Sequence, residues 1–368
     1  MTRFRISRLR WRSLSRFILL FFVGLSLCLA LVACNRSPQS SADGGNSGAS
    51  TAAAPTGGPV NLTLVSYAVT QSAYAQIIPK FAQKWQAEHN QEVIFDQSYG
   101  GSGSQTRAVI DGLEADIVAL ALALDTQKIE KAGLIQPGWE AEAPNNAIVH
   151  KSVAALVTRE GNPKNIQGWE DLATGEVQVI TANPKTSGGA RWNFMALWGA
   201  ITQTGGDDTK ALDYTTRVFE NVPVLPKDAR ESTDVFFKQG QGDVLINYEN
   251  EVILAKQKGE NLPYVVPSDV NISIDNPVAV VDANVDKHGT REVAEAFVEF
   301  LYTPTAQAEF AKVGFRPVDP TIAEQYANQF PKVTKLFTVQ DMGGWDKVQA
   351  DFFDDGAIFD QIQAKVGT

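Results

Sequence analysis

The chain has 368 residues, of which 44% are hydrophobic and 20% are charged, so it is a soluble globular protein long enough for two domains. Its 32 Lys and Arg residues against 42 Asp and Glu residues give a formal net charge of −10. This charge excludes a protein that binds nucleic acid or anionic lipid through its overall charge.

Residues 1–33 are typical of an export signal. Six arginines and no acidic residue accompany the apolar run FILLFFVGLSLCLALVA. The end of this run, Leu31-Val32-Ala33-Cys34, resembles the cleavage box of bacterial lipoproteins, and the resemblance implies a lipid on Cys34. An ordinary secretory signal and a retained membrane span are the alternatives. Without the six arginines the charge becomes 26 − 42 = −16, so an anion ligand needs a local site.

Residues 34–59 are predicted to form a flexible tether. The stretch after Cys34 is rich in Ser, Gly, Ala and Pro and has no apolar periodicity. As a flexible coil it would span about 25–30 Å, which would allow the folded domain to lie away from a membrane surface. The two cysteines are Cys28 and Cys34, so the processed chain is expected to contain no disulfide.

From residue 60 onward, strand-like and helix-like segments alternate in two successive units. The predicted strands cover 61–67, 93–97 and 116–124 in the first unit and 177–181, 221–225 and 243–248 in the second. The predicted helices cover 72–86 and 107–113, then 192–201 and 235–239, with a further helix over 292–302. This alternation predicts an α/β fold with parallel sheets and crossover helices, built twice.

The same pattern predicts the division of the chain into lobes. The first lobe is expected over 60–145 and the second over 146–262, with a link near 145–159. Residues 263–368 are expected to return to the first lobe through a strand-rich segment over 264–282 and to end in helices.

Four strand-to-helix turns are rich in small or polar residues. They read SYAVTQSA from residue 66, QSYGGSGSQTR from 97, NPKTSGGARWNF from 183 and VLPKDARESTDV from 224. A helix start presents unpaired N–H groups and a partial positive charge, and glycine lets a ligand approach the backbone. Thr106 and Ser104 stand where a dinucleotide fingerprint and a nucleophile elbow require glycine. The turns therefore predict a site in which backbone N–H groups from two lobes bind one anion.

Five blocks in this order are similar to the periplasmic sulfate-binding proteins of ABC importers. They are VSYAVT, FDQSYGGSGSQTRAVIDGLEADIVALALALD, REGNPKNIQGWEDL, NPKTSGGARWNFMALWG and GDVLINYENE. The resemblance runs from about residue 61 to the C-terminus, and the lipoprotein signal with VSYAVT resembles cyanobacterial members. It implies a monomeric two-lobed periplasmic binding protein of type II, each lobe a mostly parallel sheet flanked by helices. It also implies a protein without cofactor or catalytic residue that delivers sulfate to the membrane subunits of an ABC permease.

The resemblance also implies which residues bind the anion. Backbone N–H groups, the hydroxyl of Ser187 and the side chain of Tyr248 would donate to sulfate; the N–H groups are those of Ala68, Ser102, Gly188, Gly189 and Ala229. The family often has Asp at the first of these positions and usually has Trp where this chain has Tyr248. A phenol both donates and accepts, so the preference for sulfate over thiosulfate stays open. The neighbouring arginines are expected to pair with carboxylates or turn carbonyls instead of the ligand; they are Arg107, Arg191 and Arg230.

The residue types in these turns favour sulfate over phosphate as the ligand. Sulfate carries no proton at neutral pH and needs donors only, whereas phosphate favours an acceptor carboxylate, which Ala68 does not supply. Thiosulfate, molybdate and phosphate remain alternatives, as does a hydrolase with Ser102 or Ser187 as nucleophile. The hydrolase lacks a histidine base in any matched block. The scattered histidines predict no metal site. Glu249 and Glu251 are expected to face outwards or to bond nearby turns.

Overall fold

A computed structural model describes residues 58–367. The predicted export signal, the predicted lipid on Cys34 and nearly all of the predicted tether lie outside the described residues. Between residues 58 and 367, none of the helices combines the length and the apolar character needed to cross a membrane.

Strands and helices alternate through the described part of the chain. The strands are β1 (Val60–Tyr67), β2 (Val93–Gly100), β3 (Ile117–Ala119), β4 (Ile148–Ser152), β5 (Ala154–Thr158), β6 (Val179–Ile180), β7 (Val244–Tyr248), β8 (Tyr264–Val265), β9 (Val270–Ile272), β10 (Ile274–Pro277), β11 (Ala279–Val280), β12 (Arg316–Pro317) and β13 (Lys335–Phe337). The helices are α1 (Gln71–His89), α2 (Ser102–Ile110), α3 (Ala123–Lys131), α4 (Gly188–Thr202), α5 (Asp208–Glu220), α6 (Ala229–Phe237), α7 (Glu249–Gln257), α8 (Asp282–His288), α9 (Arg291–Leu301), α10 (Pro304–Lys312), α11 (Pro320–Gln325), α12 (Gly344–Val348) and α13 (Ile358–Val366).

Two four-stranded sheets form the two lobes, as the α/β prediction requires. The sheet of the first lobe has the order β11-β3-β1-β2, in which β1 runs parallel to both β2 and β3. The sheet of the second lobe has the order β6-β7-β5-β8, and only β6 and β7 are parallel. The second sheet is therefore mixed instead of mostly parallel. Its strand β5 follows β4 after a single residue, without a crossover helix, and runs antiparallel to β7.

A three-stranded antiparallel sheet with the order β10-β4-β12 lies between the lobes. Strand β4 leads directly into β5 of the second lobe, at the link that the sequence predicts near 145–159. Strand β10 carries the chain back and continues into β11 of the first lobe. The two connections run side by side, so the lobes are joined by paired strands.

The C-terminal residues divide between the lobes. In the structure α13 packs against helices of the second lobe, whereas α12 contacts the second lobe through Trp345 and α3 of the first lobe through an ion pair of 3.0 Å between Asp346 and Lys131. The Trp345 and Trp192 rings lie 4.7 Å apart, and the Phe359 and Phe219 rings lie 5.7 Å apart. Lys185 adds an ion pair of 2.8 Å to Asp360. The last helices thus support α4, which begins with two of the predicted anion-binding residues.

The predicted strand over 221–225 is wrong. Two prolines, Pro223 and Pro226, lie in or beside this segment and have no N–H to donate to a ladder. The segment makes only isolated hydrogen bonds beside β6, in which the carbonyl groups of Asn221 and Pro226 accept from Val179 and Asn183 at 2.9 and 2.8 Å.

Three helices begin earlier than their apolar periodicity predicts. The sequence predicts starts at residues 107, 192 and 235, whereas α2, α4 and α6 begin at Ser102, Gly188 and Ala229. The preceding residue has an extended backbone in each case, as is typical of a helix cap. Each of these helices therefore starts with a residue of the predicted anion site.

His288 fastens α8 to the first lobe through two carboxylates. Its Nδ1 lies 2.8 Å from Oδ1 of Asp116, and its Nε2 lies 2.9 Å from Oε2 of Glu114. Asp116 is buried and also accepts a hydrogen bond from the backbone N–H of Thr63 in β1. The hydrogen bonds to Glu114 and then to Asp116 raise the pKa of His288.

We expect His288→Ala to destabilise the protein more at pH 5.5 than at pH 9. Because the pKa of His288 is raised in the folded state, its stabilisation is fully present below the unfolded value of about 6.5. It is lost as the pH rises through the folded value. Urea unfolding of both proteins at the two pH values measures the difference. A loss of stability that does not change with pH would contradict a protonated His288 between the carboxylates.

Candidate functional site

The four predicted turns meet at one small cavity between the lobes. Its lining includes all seven residues predicted to bind the anion; the full set is Tyr67, Ala68, Val69, Gly100, Gly101, Ser102, Ala121, Ser187, Gly188, Gly189, Asp228, Ala229 and Tyr248. The cavity volume is about 10 Å³. Pockets for drug-sized ligands measure about 300–1,000 Å³, so this cavity fits one small ion at most.

Backbone N–H groups face this cavity from the ends of three helices. Ser102 begins α2, Gly188 and Gly189 begin α4, and Ala229 begins α6. First-turn N–H groups have no acceptor in their own helix, and no other described residue accepts a hydrogen bond from these four. Ala68 adds a fifth such group at the start of a short 3₁₀ helix, Ala68–Thr70. The dipoles of the helices make this space favourable for negative charge.

The two serines of the site differ in what they can offer. The Ser187 hydroxyl oxygen accepts from the N–H of Ala190 at 3.3 Å, which leaves its hydrogen free to donate. The Ser102 hydroxyl donates to Oδ2 of Asp125 at 2.6 Å and accepts from the N–H of Ala121 at 3.0 Å. Ser102 is thus left with its backbone N–H as a donor.

Tyr248 lies directly over one of the glycines. A Cβ on Gly189 would lie 2.6 Å from Cε2 of this ring and 3.1 Å from its hydroxyl oxygen. The hydroxyl is buried and has no hydrogen-bond partner among the described residues. Burial, followed by the charges of Asp125 and Glu251, raises the pKa of Tyr248 well above its usual value. The phenol therefore remains protonated and able to donate.

Tyr67 is a lining residue that the sequence analysis missed. Its hydroxyl is also buried without a partner among the described residues, and its ring lies 5.9 Å from that of Tyr248. It directly precedes Ala68, so its place in the block VSYAVT was the available signal.

None of the three neighbouring arginines lines the cavity. Arg191 is buried and forms an ion pair of 3.3 Å with Asp125, and Arg230 forms two hydrogen bonds of 2.9 and 2.8 Å with Glu251. Arg107 is exposed and donates to the hydroxyl of Ser104 at 3.3 Å.

Glu249 and Glu251 do not face outwards but are buried. Each carboxylate is satisfied by an arginine fork, which is what allows a charged group to lie in the interior. Glu251 bonds Arg230, which holds α7 to α6, and Glu249 bonds Arg316 of β12 at 2.7 and 3.0 Å. The local sequence gives no sign of the second pair because its members are 67 residues apart.

Contacts between the lobes surround the cavity. A Cβ on Gly188 would lie 2.6 Å from Cβ of Ala121 and 2.7 Å from Cδ2 of Leu122, so only glycine fits between the lobes here. The indole N–H of Trp192 in the second lobe donates to the carbonyl of Ala121 in the first lobe at 2.7 Å. The described structure is thus a closed arrangement.

The electrostatics of the cavity favour a small anion that carries no proton. No Lys, Arg or His residue lines it, so its positive potential comes from N–H dipoles. The one acidic residue in the lining, Asp228, uses Oδ1 to accept from the N–H of Glu231 at 2.8 Å, as the cap of α6. Within residues 58–367 no group of three or more His, Cys, Asp or Glu side chains is arranged so that it could hold a metal ion.

Known proteins resemble this chain along most of its length. The sequence profile of the family described as "Bacterial extracellular solute-binding protein" matches residues 62–316. A sulfate-binding protein of Synechococcus elongatus is 63% identical over 92% of this chain and 93% of its own length. One from Synechocystis sp. is also 63% identical, over 84% of this chain and 88% of its own length.

A solved structure agrees with these sequence matches. The sulfate-binding protein SubI of Mycobacterium tuberculosis superposes with a TM-score of 0.74 and 39% identity, and the match covers 80% of this chain and all of SubI. These relatives are binding proteins, so the family excludes the hydrolase alternative. The chain belongs to the bacterial extracellular solute-binding proteins, in the family of the sulfate-binding proteins.

Proposed function

We propose that this protein captures sulfate outside the cytoplasm and delivers it to an ABC permease. The observation that carries the proposal is the convergence of five free backbone N–H groups on a cavity without a cationic side chain. The names of the relatives at 63% identity support sulfate as the ligand.

The donors are sufficient for useful affinity. Five N–H groups and the hydroxyls of Ser187 and Tyr248 face the cavity, and a hydrogen bond to a charged group contributes about 1.5–3 kcal/mol. Micromolar binding requires a net free energy of only about −8 kcal/mol, which leaves a margin for the dehydration of the anion.

A calorimetric titration of the purified protein with sulfate, thiosulfate, molybdate and phosphate tests the proposal. We expect sulfate to bind in the micromolar range or tighter and phosphate about 100-fold more weakly, because the groups that face the anion are donors and the lining carboxylate, that of Asp228, is engaged as the cap of α6. Tight phosphate binding without sulfate binding would overturn the proposal.

Thiosulfate is the second candidate ligand. The observation that favours it is the hydroxyl of Tyr248, which can both donate and accept a hydrogen bond. This hydroxyl has no partner among the described residues, so a ligand in the cavity is free to bond it. If thiosulfate bound more tightly than sulfate in the same titration, thiosulfate would become the first candidate ligand.

Ser187→Ala is expected to weaken sulfate binding about 5- to 150-fold, which corresponds to about 1–3 kcal/mol. The variant removes the one hydroxyl donor on the α4 cap and leaves an oxygen of the anion without its partner. Titration of the variant measures the loss. Ser104→Ala, an exposed serine on the first turn of α2, is the matched control, and equal affinities for both variants would contradict the role of Ser187.

Sulfate affinity is expected to stay nearly constant between pH 6 and pH 9. Neither backbone N–H groups nor sulfate titrate in this range, and burial holds the pKa of Tyr248 well above it. Titrations at three pH values check this. A steep change would indicate a histidine or a protonated anion at the site.

We also propose that the protein is a monomeric periplasmic lipoprotein, tethered to a membrane through Cys34. The lipoprotein-like box and the negatively charged body support a lipid anchor over an electrostatic one. Partition of the expressed protein into detergent tests this, with Cys34→Ser as the comparison. Equal partition of both forms into the aqueous phase would contradict the anchor.

A further inference from the structure

A second and larger cavity lies on the first lobe, apart from the anion site. It has a volume of about 590 Å³ and runs between α9, the strand β11 and the loop after Trp139. None of its lining residues belongs to the lining of the anion cavity. Its size exceeds what an inorganic ion requires and suits several side chains of another molecule.

The groove combines an apolar floor with an acidic rim. The floor contains Trp139 and Ala296 together with 278–280 around β11. Three glutamates of the rim share one face of α9 because they are three and four residues apart; they are Glu292, Glu295 and Glu299. Glu142 faces them from the loop on the other side.

The negative charge of this rim is mostly unbalanced. Arg291 lies 3.2 Å from Glu295, but the same guanidinium also bonds Asp282 at 2.9 Å and Asp286 at 2.8 Å. The other three glutamates of the rim have no Lys or Arg partner within residues 58–367; they are Glu142, Glu292 and Glu299. Burial and then the charge of Asp282 raise the pKa of Glu142, and the charge of Arg291 offsets only part of this rise.

We propose that this groove docks a Lys- or Arg-bearing segment of the membrane complex that receives the anion. Such side chains lay an aliphatic stem on an apolar floor while their charged ends reach carboxylates at a rim. A second copy of this chain is a poor occupant of the groove. Residues 34–368 carry a net charge of −16, so two copies would repel each other. The proposal rests on the proposed delivery to an ABC permease.

The test is direct binding of the fluorescently labelled protein to the importer's membrane complex in nanodiscs. We expect the charge reversal Glu292→Lys with Glu299→Lys to raise the Kd at least 10-fold and to reduce its dependence on salt. The control is Glu92→Lys with Asp96→Lys, which makes the same charge change on two exposed residues of the same lobe outside the groove, one directly before β2 and one within it. The control is expected to bind like the unmodified protein.

Calorimetry with sulfate separates this proposal from the proposed function. We expect the groove variant to bind sulfate with the same affinity as the unmodified protein. If the unmodified protein did not bind sulfate, the proposed function would fail, whereas the docking groove is tested only by the Kd for the membrane complex. Docking of the groove variant with the unmodified Kd would overturn the proposal. Equal weakening by the groove variant and by the control would overturn it too, because the effect would then come from net charge alone.

Discussion

Gly101→Ala is expected to weaken sulfate binding about 100-fold or more while leaving the fold intact. In the closed structure a Cβ at this position would lie 2.6 Å from the carbonyl oxygen of Thr186 and 3.2 Å from that of Lys227. Both carbonyls belong to the second lobe and are backbone atoms, which cannot move aside as a flexible side chain can. Overpacking costs about 1–3 kcal/mol, and a displaced N–H donor to the anion adds about 1.5–3 kcal/mol.

The same substitution meets no obstacle when the lobes are apart. Gly101 has φ −62° and ψ 131°, a conformation that alanine adopts readily. The variant is therefore expected to fold, with a loss of at most about 1 kcal/mol because alanine is the poorer helix cap. Titration with sulfate and urea unfolding measure the two effects separately.

Gly103→Ala is the matched control on the same turn. Its Cβ would lie 3.4 Å from the Thr186 carbonyl oxygen, which is an ordinary contact, so its sulfate affinity is expected to change by less than a factor of about 5. If Gly101→Ala bound sulfate as tightly as this control, the closed arrangement of the lobes would not be the one that holds the anion.

The meeting of the four turns could be predicted from the sequence because its signals are local. Each turn combines small or polar residues with a strand before it and a helix after it, and parallel strands bring such turns to one edge of a sheet. The structure places all seven predicted residues at one cavity. The helix starts were predicted too late, since apolar periodicity begins only where a helix packs, whereas α2 and α4 begin at Ser102 and Gly188.

What could not be predicted depends on partners that are distant in the sequence. Ser102 and Ser187 look alike in their turns, but only the Ser102 hydroxyl already donates its hydrogen, to Asp125 at 23 residues' distance. Nothing near Glu249 indicates burial, since its partner is 67 residues away in β12. Over 221–225 the apolar residues favour a strand, but Pro223 and the adjacent Pro226 lack the N–H donors that a strand needs.

Arg316→Ala is expected to destabilise the protein by about 3–5 kcal/mol, because it removes one partner of a buried ion pair. Glu249, at 0% exposure, would keep a buried carboxylate without its two hydrogen bonds of 2.7 and 3.0 Å. Arg316 lies in β12, which pairs with β4 between the lobes, so the substitution destabilises the strands that join the two lobes. Urea unfolding at pH 8 measures it.

Two comparisons separate the ion pair from a general effect of removing an arginine. Arg217→Ala breaks an exposed pair, in which the arginine side chain is 50% and Asp213 66% exposed, and is expected to cost less than about 1 kcal/mol. Adding Glu249→Gln to Arg316→Ala removes the unpaired charge and is expected to recover part of the stability. Equal losses for Arg316→Ala and Arg217→Ala would mean that Glu249 finds another partner.

The pH dependence of the variant gives an independent check on the same carboxylate. Burial raises the pKa of Glu249, and the hydrogen bonds and charge of Arg316 lower it, so the substitution removes the lowering influence and raises the pKa further. A folded pKa above the unfolded value of about 4.3 means that the ionised form costs stability at high pH and that protonation relieves this cost. The difference in the free energy of unfolding between wild type and Arg316→Ala is therefore expected to be smaller at pH 5 than at pH 8. A difference that grows on acidification would show that the buried carboxylate is not its source.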